Sequence, residues 1–166
     1  AYTYLGRHSE ARSAAQHALR ANASDADVLT RVGQVMSFLG EHEQAIRHLN
    51  DAIDLDPLGT AQRLNFLSRA YFFGGNYNQA IENARLCLDK SKIEPCRETL
   101  AAALALSGRL QQAADVWREI PGAGRDADPE RIVSRLRPAF KRQQDLDKLV
   151  SGLALAKDAA GSAKLQ

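Results

Sequence analysis

ADVLTRVGQVMSFLGEHEQAIRHLNDAIDLDPLG, residues 26–59, is the stretch whose reading decides the fold. Gly40 comes directly after an apolar-periodic run. A residue without a Cβ closes the last turn of a helix in the left-handed conformation at no steric cost, so the run 26–39 reads as a helix that Gly40 ends. A second helix is expected over 42–55, and Pro57 separates it from the next unit. Gly33 and Ala45 are small where the two helices would cross, and axes ~8–10 Å apart require small side chains there. The unit is therefore a tight helical hairpin.

The same punctuation recurs along the chain. A Gly followed five residues later by Ala occurs at Gly6/Ala11, Gly40/Ala45, Gly75/Ala80 and Gly108/Ala113, at intervals of 34, 35 and 33 residues. A period near 34 with one short hairpin per period is similar to the tetratricopeptide repeat. Residues 26–59 carry the resemblance best, with Leu29, Val32, Gly33, Gly40, Ala45, Ala52 and Pro57 at repeat positions 4, 7, 8, 15, 20, 27 and 32. Residues 61–94 form the next copy, with Leu64, Leu67, Tyr71, Gly75, Tyr77, Ala80, Ala84 and Cys87. A looser third copy, 94–127, keeps Leu100, Ala101, Leu104, Gly108, Leu110, Ala113 and Trp117 before Pro121-Gly122 ends it early. Residues 1–24 read as the second half of a further repeat, which should fray.

The expected fold is all-α, a superhelix of antiparallel helical hairpins closed by C-terminal helices. Helices are predicted at about 8–21, 26–39, 42–55, 61–73, 77–90, 95–107 and 110–119. A single hairpin buries too little apolar surface to be stable, so the core must run through neighbouring repeats. PGAGRDADPE, 121–130, is a Gly/Pro/Asp loop. Asp128-Pro129 then supplies an N-cap and first-turn pair for a helix 129–137, interrupted by Pro138. Leu146, Leu149, Val150, Leu153 and Leu155 mark an amphipathic stretch that can cover the end of the stack, giving a capping region 128–160 and a loose tail 161–166. Residues 129–156, with Phe140 and an LxxLVxGL helix, resemble the tails of tetratricopeptide regions in bacterial multidomain regulators, either class III adenylate cyclase-like or winged-helix.

Charge is nearly balanced, 22 basic against 20 acidic residues, which argues against bulk nucleic-acid or membrane binding. No apolar run approaches the ~18 residues that span a bilayer, and AYTYLGRHSE lacks the layout of a signal peptide. A cytoplasmic chain is expected. Cys87 and Cys96 do not form a CxxC motif and are too few for a zinc site. They are read as reduced structural residues, a bridge between them being the lesser alternative.

The residue types that could carry chemistry are scattered. His42 and His48, six residues apart on one helix, fall on different faces and read as exposed rather than metal-binding. No phosphate-loop, dinucleotide or nucleophile-elbow string occurs. Asp51, Asp54 and Asp56 read as a solvated helix face. No enzyme, cofactor or metal is expected.

The resemblance implies that the first helices of successive hairpins line a partner-binding groove. It places Thr30, Gln34 and Phe38, then Gln62, Asn65, Arg69, Phe72 and Phe73, then Glu98 on that face. Amides and a guanidinium can satisfy an extended backbone while aromatics supply anchor area, so the expected ligand is a protein or peptide. The alternative for Phe38, Phe72 and Phe73 is packing between hairpins. Thr30, Gln34, Pro95 and Thr99 stand where the carboxylate clamp of chaperone co-factors would need Lys and Asn, so that clamp is absent. The whole reads as a protein-interaction scaffold within a larger bacterial protein, with dimerisation through an open terminal repeat as a further expectation. Two alternatives are the sensory tail of a cyclase-like enzyme or transcription regulator, and a pentatricopeptide-type RNA reader. Neutral charge and the Gly-then-Ala signature weigh against the latter.

Overall fold

The structure is a computed structural model, and it describes residues 2–58, 60–123 and 127–162. Among these residues the order is α1 (His8–Ala21), α2 (Ala26–Leu39), α3 (His42–Leu55), α4 (Thr60–Phe73), α5 (Tyr77–Lys90), α6 (Glu94–Leu106), α7 (Leu110–Arg118), α8 (Pro129–Val133) and α9 (Gln143–Ser162). Two 3-10 segments accompany them, Thr3–Leu5 before α1 and Ser134–Ala139 after α8. The fold is an all-α helical solenoid.

Each first helix ends as its sequence demands. Gly40, Gly75 and Gly108 all have φ between 80 and 84°. The amide one residue further on donates to the carbonyl five residues back, Glu41 to Met36, Asn76 to Tyr71 and Arg109 to Leu104, each at 2.9 Å. That pattern satisfies carbonyls the helix would otherwise leave open, and it turns the chain back on itself. At the start of α2 the Asp25 carboxylate accepts from the amides of Asp27 and Val28 at 2.8 and 3.0 Å. Within the hairpin α2–α3 a Cβ on Gly33 would come within 2.5 Å of Leu49 Cγ, so the helices pack at a separation only Gly permits.

Hairpins α2–α3, α4–α5 and α6–α7 stack in chain order, each also packed against its neighbour, and α1 packs on α2. Ala45, Leu49 and Ala52 are fully buried in the first hairpin, Ala80 and Ala84 in the second, and Ala113 and Ala114 in the third. Beyond α7, helix α9 packs against both α6 and α7 and takes the place a further repeat would occupy. Contact with α6 is close, since a Cβ on Gly152 would lie 2.7 Å from the Ala102 Cβ. Leu146, Leu149, Leu153 and Ala156 of α9 are completely buried there.

Several expectations need correction. Cys87 and Cys96 form a disulfide (S–S 2.05 Å) rather than remaining reduced. Cys87 lies in the last turn of α5 and Cys96 in the first turn of α6, so packing of successive hairpins brings their Cα atoms to 6.5 Å. The helix expected over 129–137 is α-helical only to Val133 and continues as a 3-10 segment containing Pro138. Pro138 lacks an N–H, and its ring clashes with the carbonyl four residues back, which breaks α-helical geometry over this stretch. Gly161 and Ser162, read as loose tail, belong to α9, and the remainder of that segment lies outside the described residues.

The N-terminal segment, expected to fray, contacts the C-terminal segment. Gly6, with φ of 70°, turns the chain from the first 3-10 segment into α1. His8 Nε2 then lies 3.2 Å from the carbonyl oxygens of both Pro138 and Ala139, in position to donate to them. Two segments more than a hundred residues apart meet, and the meeting closes one side of the solenoid's inner face. No helix among the described residues is long and apolar enough to cross a membrane.

Candidate functional site: the inner groove

Helices α2, α4 and α6 carry the inner face, and the C-terminal segment runs across its far edge. Phe140 is the anchor of that crossing, 1 % exposed, with its ring edge-on to Phe38 at 5.1 Å and to Phe73 at 5.0 Å. Lys141 donates its backbone amide to the Phe38 carbonyl and Lys148 its ammonium to the Phe73 carbonyl, both at 2.9 Å. These two carbonyls belong to the last turns of α2 and α4. This C-terminal strap, residues 134–148 including the first turns of α9, thus supplies donors to helix ends that have no intrahelical partner left.

His42, read from the sequence as exposed, is 8 % exposed beneath the strap. Its Nε2 is 3.1 Å from Asp145 Oδ2 and its ring lies over Phe73 at 5.8 Å. Asp56, on the face read as solvated, is 43 % exposed at its side chain and ion-paired with Arg63. Arg63 Nη1 donates to the Asp56 backbone oxygen at 2.6 Å and to the Asp56 carboxylate at 2.8 Å.

The part of the inner face that the strap leaves open is a groove of about 840 Å³ between the middles of α2 and α4, the start of α6 and the two 3-10 segments. Its floor is polar. Glu98 is 2 % exposed and accepts from Arg69 Nη2 at 3.3 Å and from Arg135 Nη2 at 2.9 Å. Burial pushes the Arg69 guanidinium down from its ordinary range, and the neighbouring Glu98 carboxylate opposes that effect. Beside this triad two buried atoms have no partner, Asn65 Oδ1 and Arg69 Nε. Buried polar atoms are nearly always hydrogen-bonded, so two orphans on residues of one groove are unusual.

The residues expected to face a partner divide into three sets. Gln34, Gln62, Asn65 and Arg69 line the open groove, and Glu98 sits beneath it as the counter-ion of Arg69. Phe38 and Phe73 pack against Phe140, while Phe72 is fully buried against Phe73 and Tyr77. Thr30 is also occupied, donating to the Ala26 carbonyl at 2.6 Å and accepting from Arg63 Nε at 3.0 Å. The structure adds groove residues that the sequence reading missed: Tyr4, whose hydroxyl accepts from Gln34 at 3.4 Å, Arg31 on α2, and Arg135 and Leu136 from the C-terminal segment. Arg31 could have been found by continuing one residue past Thr30 on the same helix. Arg135 could not, because a residue 37 positions from Glu98 reaches it only through the returning strap. Among the described residues no three His, Cys, Asp or Glu side chains are placed to share a metal ion.

A family model for the tetratricopeptide repeat matches residues 26–57. The chain carries a tetratricopeptide repeat. That match falls on the α2–α3 hairpin, and the following hairpins repeat its capping geometry. A curated relative, cellulose synthase operon protein C of Komagataeibacter xylinus, is 46 % identical over 56 residues, 34 % of this chain and 4 % of the relative. The chain thus matches only a small part of that relative's length. As a helical-repeat solenoid of this type, the chain is a protein-interaction scaffold in general character.

Proposed function

We propose that this tetratricopeptide solenoid holds an extended segment of a partner protein in the open half of its inner groove. The observation that carries the proposal is the floor itself, where Asn65 and Arg69 are buried to more than nine-tenths and yet each keeps an unpartnered polar atom. An extended backbone presents alternating N–H and C=O groups, and side-chain amides both donate and accept. Gln34, Gln62 and Asn65 therefore suit a peptide better than an apolar ligand. Glu98 orients Arg69 and Arg135 and does not itself face the groove. Thr30, Phe38, Phe72 and Phe73 hold the framework. Catalysis has no part in this reading.

The relative's much greater length supports treating the solenoid as one module of a larger bacterial protein. The Cys87–Cys96 bridge bears on where it works. Disulfides persist in oxidising compartments and are rare in the cytosol, so the bridge favours an oxidising compartment over the cytoplasm expected from the sequence. Dimerisation through an open N-terminal repeat is not part of the proposal, because Gly6 and His8 are folded back onto Pro138 and Ala139.

The test is selection of peptides from a displayed random library by the full chain, followed by binding to Gln62→Trp. Gln62 is exposed at the groove mouth, so an indole there fills the opening without disturbing the core. Selected peptides should lose at least about ten-fold in affinity for the variant while its helical circular dichroism stays unchanged. Peptides that bind the variant as tightly as the parent chain would place recognition elsewhere.

A further inference from the structure

The groove's charge is one-sided. Its lining includes Arg31, Arg69 and Arg135 and, among the described residues, no Asp or Glu. Glu98 is sealed beneath with one oxygen bonded to Arg69 and the other to Arg135, while Asp27 and Glu94 are exposed beside the groove without lining it. Three guanidiniums against one carboxylate leave a formal charge of +2 (3 − 1). The chain as a whole also carries +2, spread over 42 charged groups (22 + 20), so the groove concentrates an excess the rest of the surface does not show. Charge lining a cleft with low-dielectric walls is felt more strongly than the same charge on an open surface. The walls here include Val35, Phe66, Ile93 and Leu136.

The three arginines are not equally committed. Arg69 is buried in its ion pair, and its buried Nε has no partner. Arg135 is about half exposed, gives Nη2 to Glu98 and Nη1 to the Ile132 carbonyl, and keeps its remaining N–H groups toward solvent. Arg31 is exposed and makes no ion pair with any described residue. Arg31 and Arg135 come from opposite ends of the chain and meet on the same cavity, which leaves planar donors available at its mouth. A guanidinium fork matches a carboxylate.

We infer that the segment held in this groove is acidic, an extended peptide whose Asp or Glu side chain is received by Arg31 and Arg135 while Gln34, Gln62 and Asn65 take its backbone. The inference rests on the reading of the groove as a peptide site and adds the chemistry of the partner. A basic or purely apolar segment would leave the +2 floor uncompensated and Arg31 desolvated without a partner, which costs binding.

Three fluorescein-labelled decapeptides decide the matter, one with Asp and Glu among apolar residues, one with Asn and Gln in their places, and one with Lys. All are amidated at the C-terminus and carry the same dye at the N-terminus, so that side chains are the only groups in which their charges differ. Against the full chain, the acidic peptide should bind at least about ten-fold more tightly than its amide counterpart, and the gap should narrow as salt rises. Arg31→Glu, an exposed change, should lose about ten-fold for the acidic peptide and far less for the amide peptide. Equal binding of acidic and amide peptides, both lost in Gln62→Trp, would overturn the charge inference and leave the peptide groove standing. Acidic-peptide binding that ignores Gln62→Trp would reduce it to general attraction and overturn it. Tighter groove binding of a ten-nucleotide oligouridylate than of the acidic peptide would overturn it in favour of RNA. If no peptide binds in a Gln62-dependent way, the groove reading itself fails.

Discussion

Replacing Phe140 by Ala tests whether the C-terminal strap belongs to the repeat array or merely lies on it. The ring is 1 % exposed and edge-on to two partners, Phe38 at 5.1 Å and Phe73 at 5.0 Å. Removing a buried Phe side chain costs about 3–5 kcal/mol, of which each aromatic pair contributes roughly 0.5–1.5 kcal/mol beyond the area buried. In a chain of this size 1 kcal/mol shifts the melting midpoint by about 2–4 °C, so Phe140→Ala should melt roughly 6–20 °C below the parent. In a simple solenoid a change near one end is felt by the neighbouring repeat. Here Phe140 bears on α2 and α4, so amide exchange should quicken at the last turn of both helices and at Lys141, whose N–H donates to Phe38. Thermal and urea denaturation followed by helical circular dichroism, with residue-resolved hydrogen exchange, reads both effects. Phe140→Leu, which keeps most of the volume, should cost about 1.5 kcal/mol or less. If Phe140→Ala melts at the parent's temperature, or if only residues beyond Pro129 lose protection, the strap is an accessory and does not close the inner face.

Reducing the Cys87–Cys96 bridge, or changing both cysteines to Ser, should lower stability by about 2–3 kcal/mol. The bridge spans nine residues, and closing so short a loop in the unfolded chain removes roughly that much conformational freedom. Urea midpoints with and without dithiothreitol measure it, and maleimide labelling of the acid-quenched, denatured protein should find no free thiol. For Glu98→Ala the expected loss is about 3–5 kcal/mol, because Arg69 is left buried without its counter-ion. Joint replacement of Arg69 by Met and Glu98 by Leu should recover most of it, as seen by chemical denaturation. A single Glu98→Ala variant as stable as the parent would show that water reaches Arg69.

Every helix from α1 to α7 was legible to within a residue at each end. The signals that set those ends are local: Gly40, Gly75 and Gly108 accept a left-handed turn, Pro57 and Pro95 stand at boundaries, and small residues repeat at the crossings. None depends on a distant neighbour. The inner face was legible only in part. Position within a repeat says which way a side chain points, and so it found Gln34, Gln62, Asn65 and Arg69. It does not say which of those positions the chain covers further on, so it leaves Phe38 and Phe73 open to a partner or to packing, and Phe140 packs on them. Count and spacing of the cysteines carry no information on how far apart they lie in the fold. Helix stacking sets the distance between them, and the bridge results from it.

Sequence alone thus determined the hairpin, its period and its stacking order, because caps and helix crossings are settled by contacts within one repeat or between adjacent ones. Tertiary structure decided the groove. Arg135, Phe140 and Asp145 reach Glu98, Phe38 and His42 only because a Pro-broken segment turns back across the inner face. A pairing over that many residues is specified by the shape of the assembled surface, which no local pattern encodes.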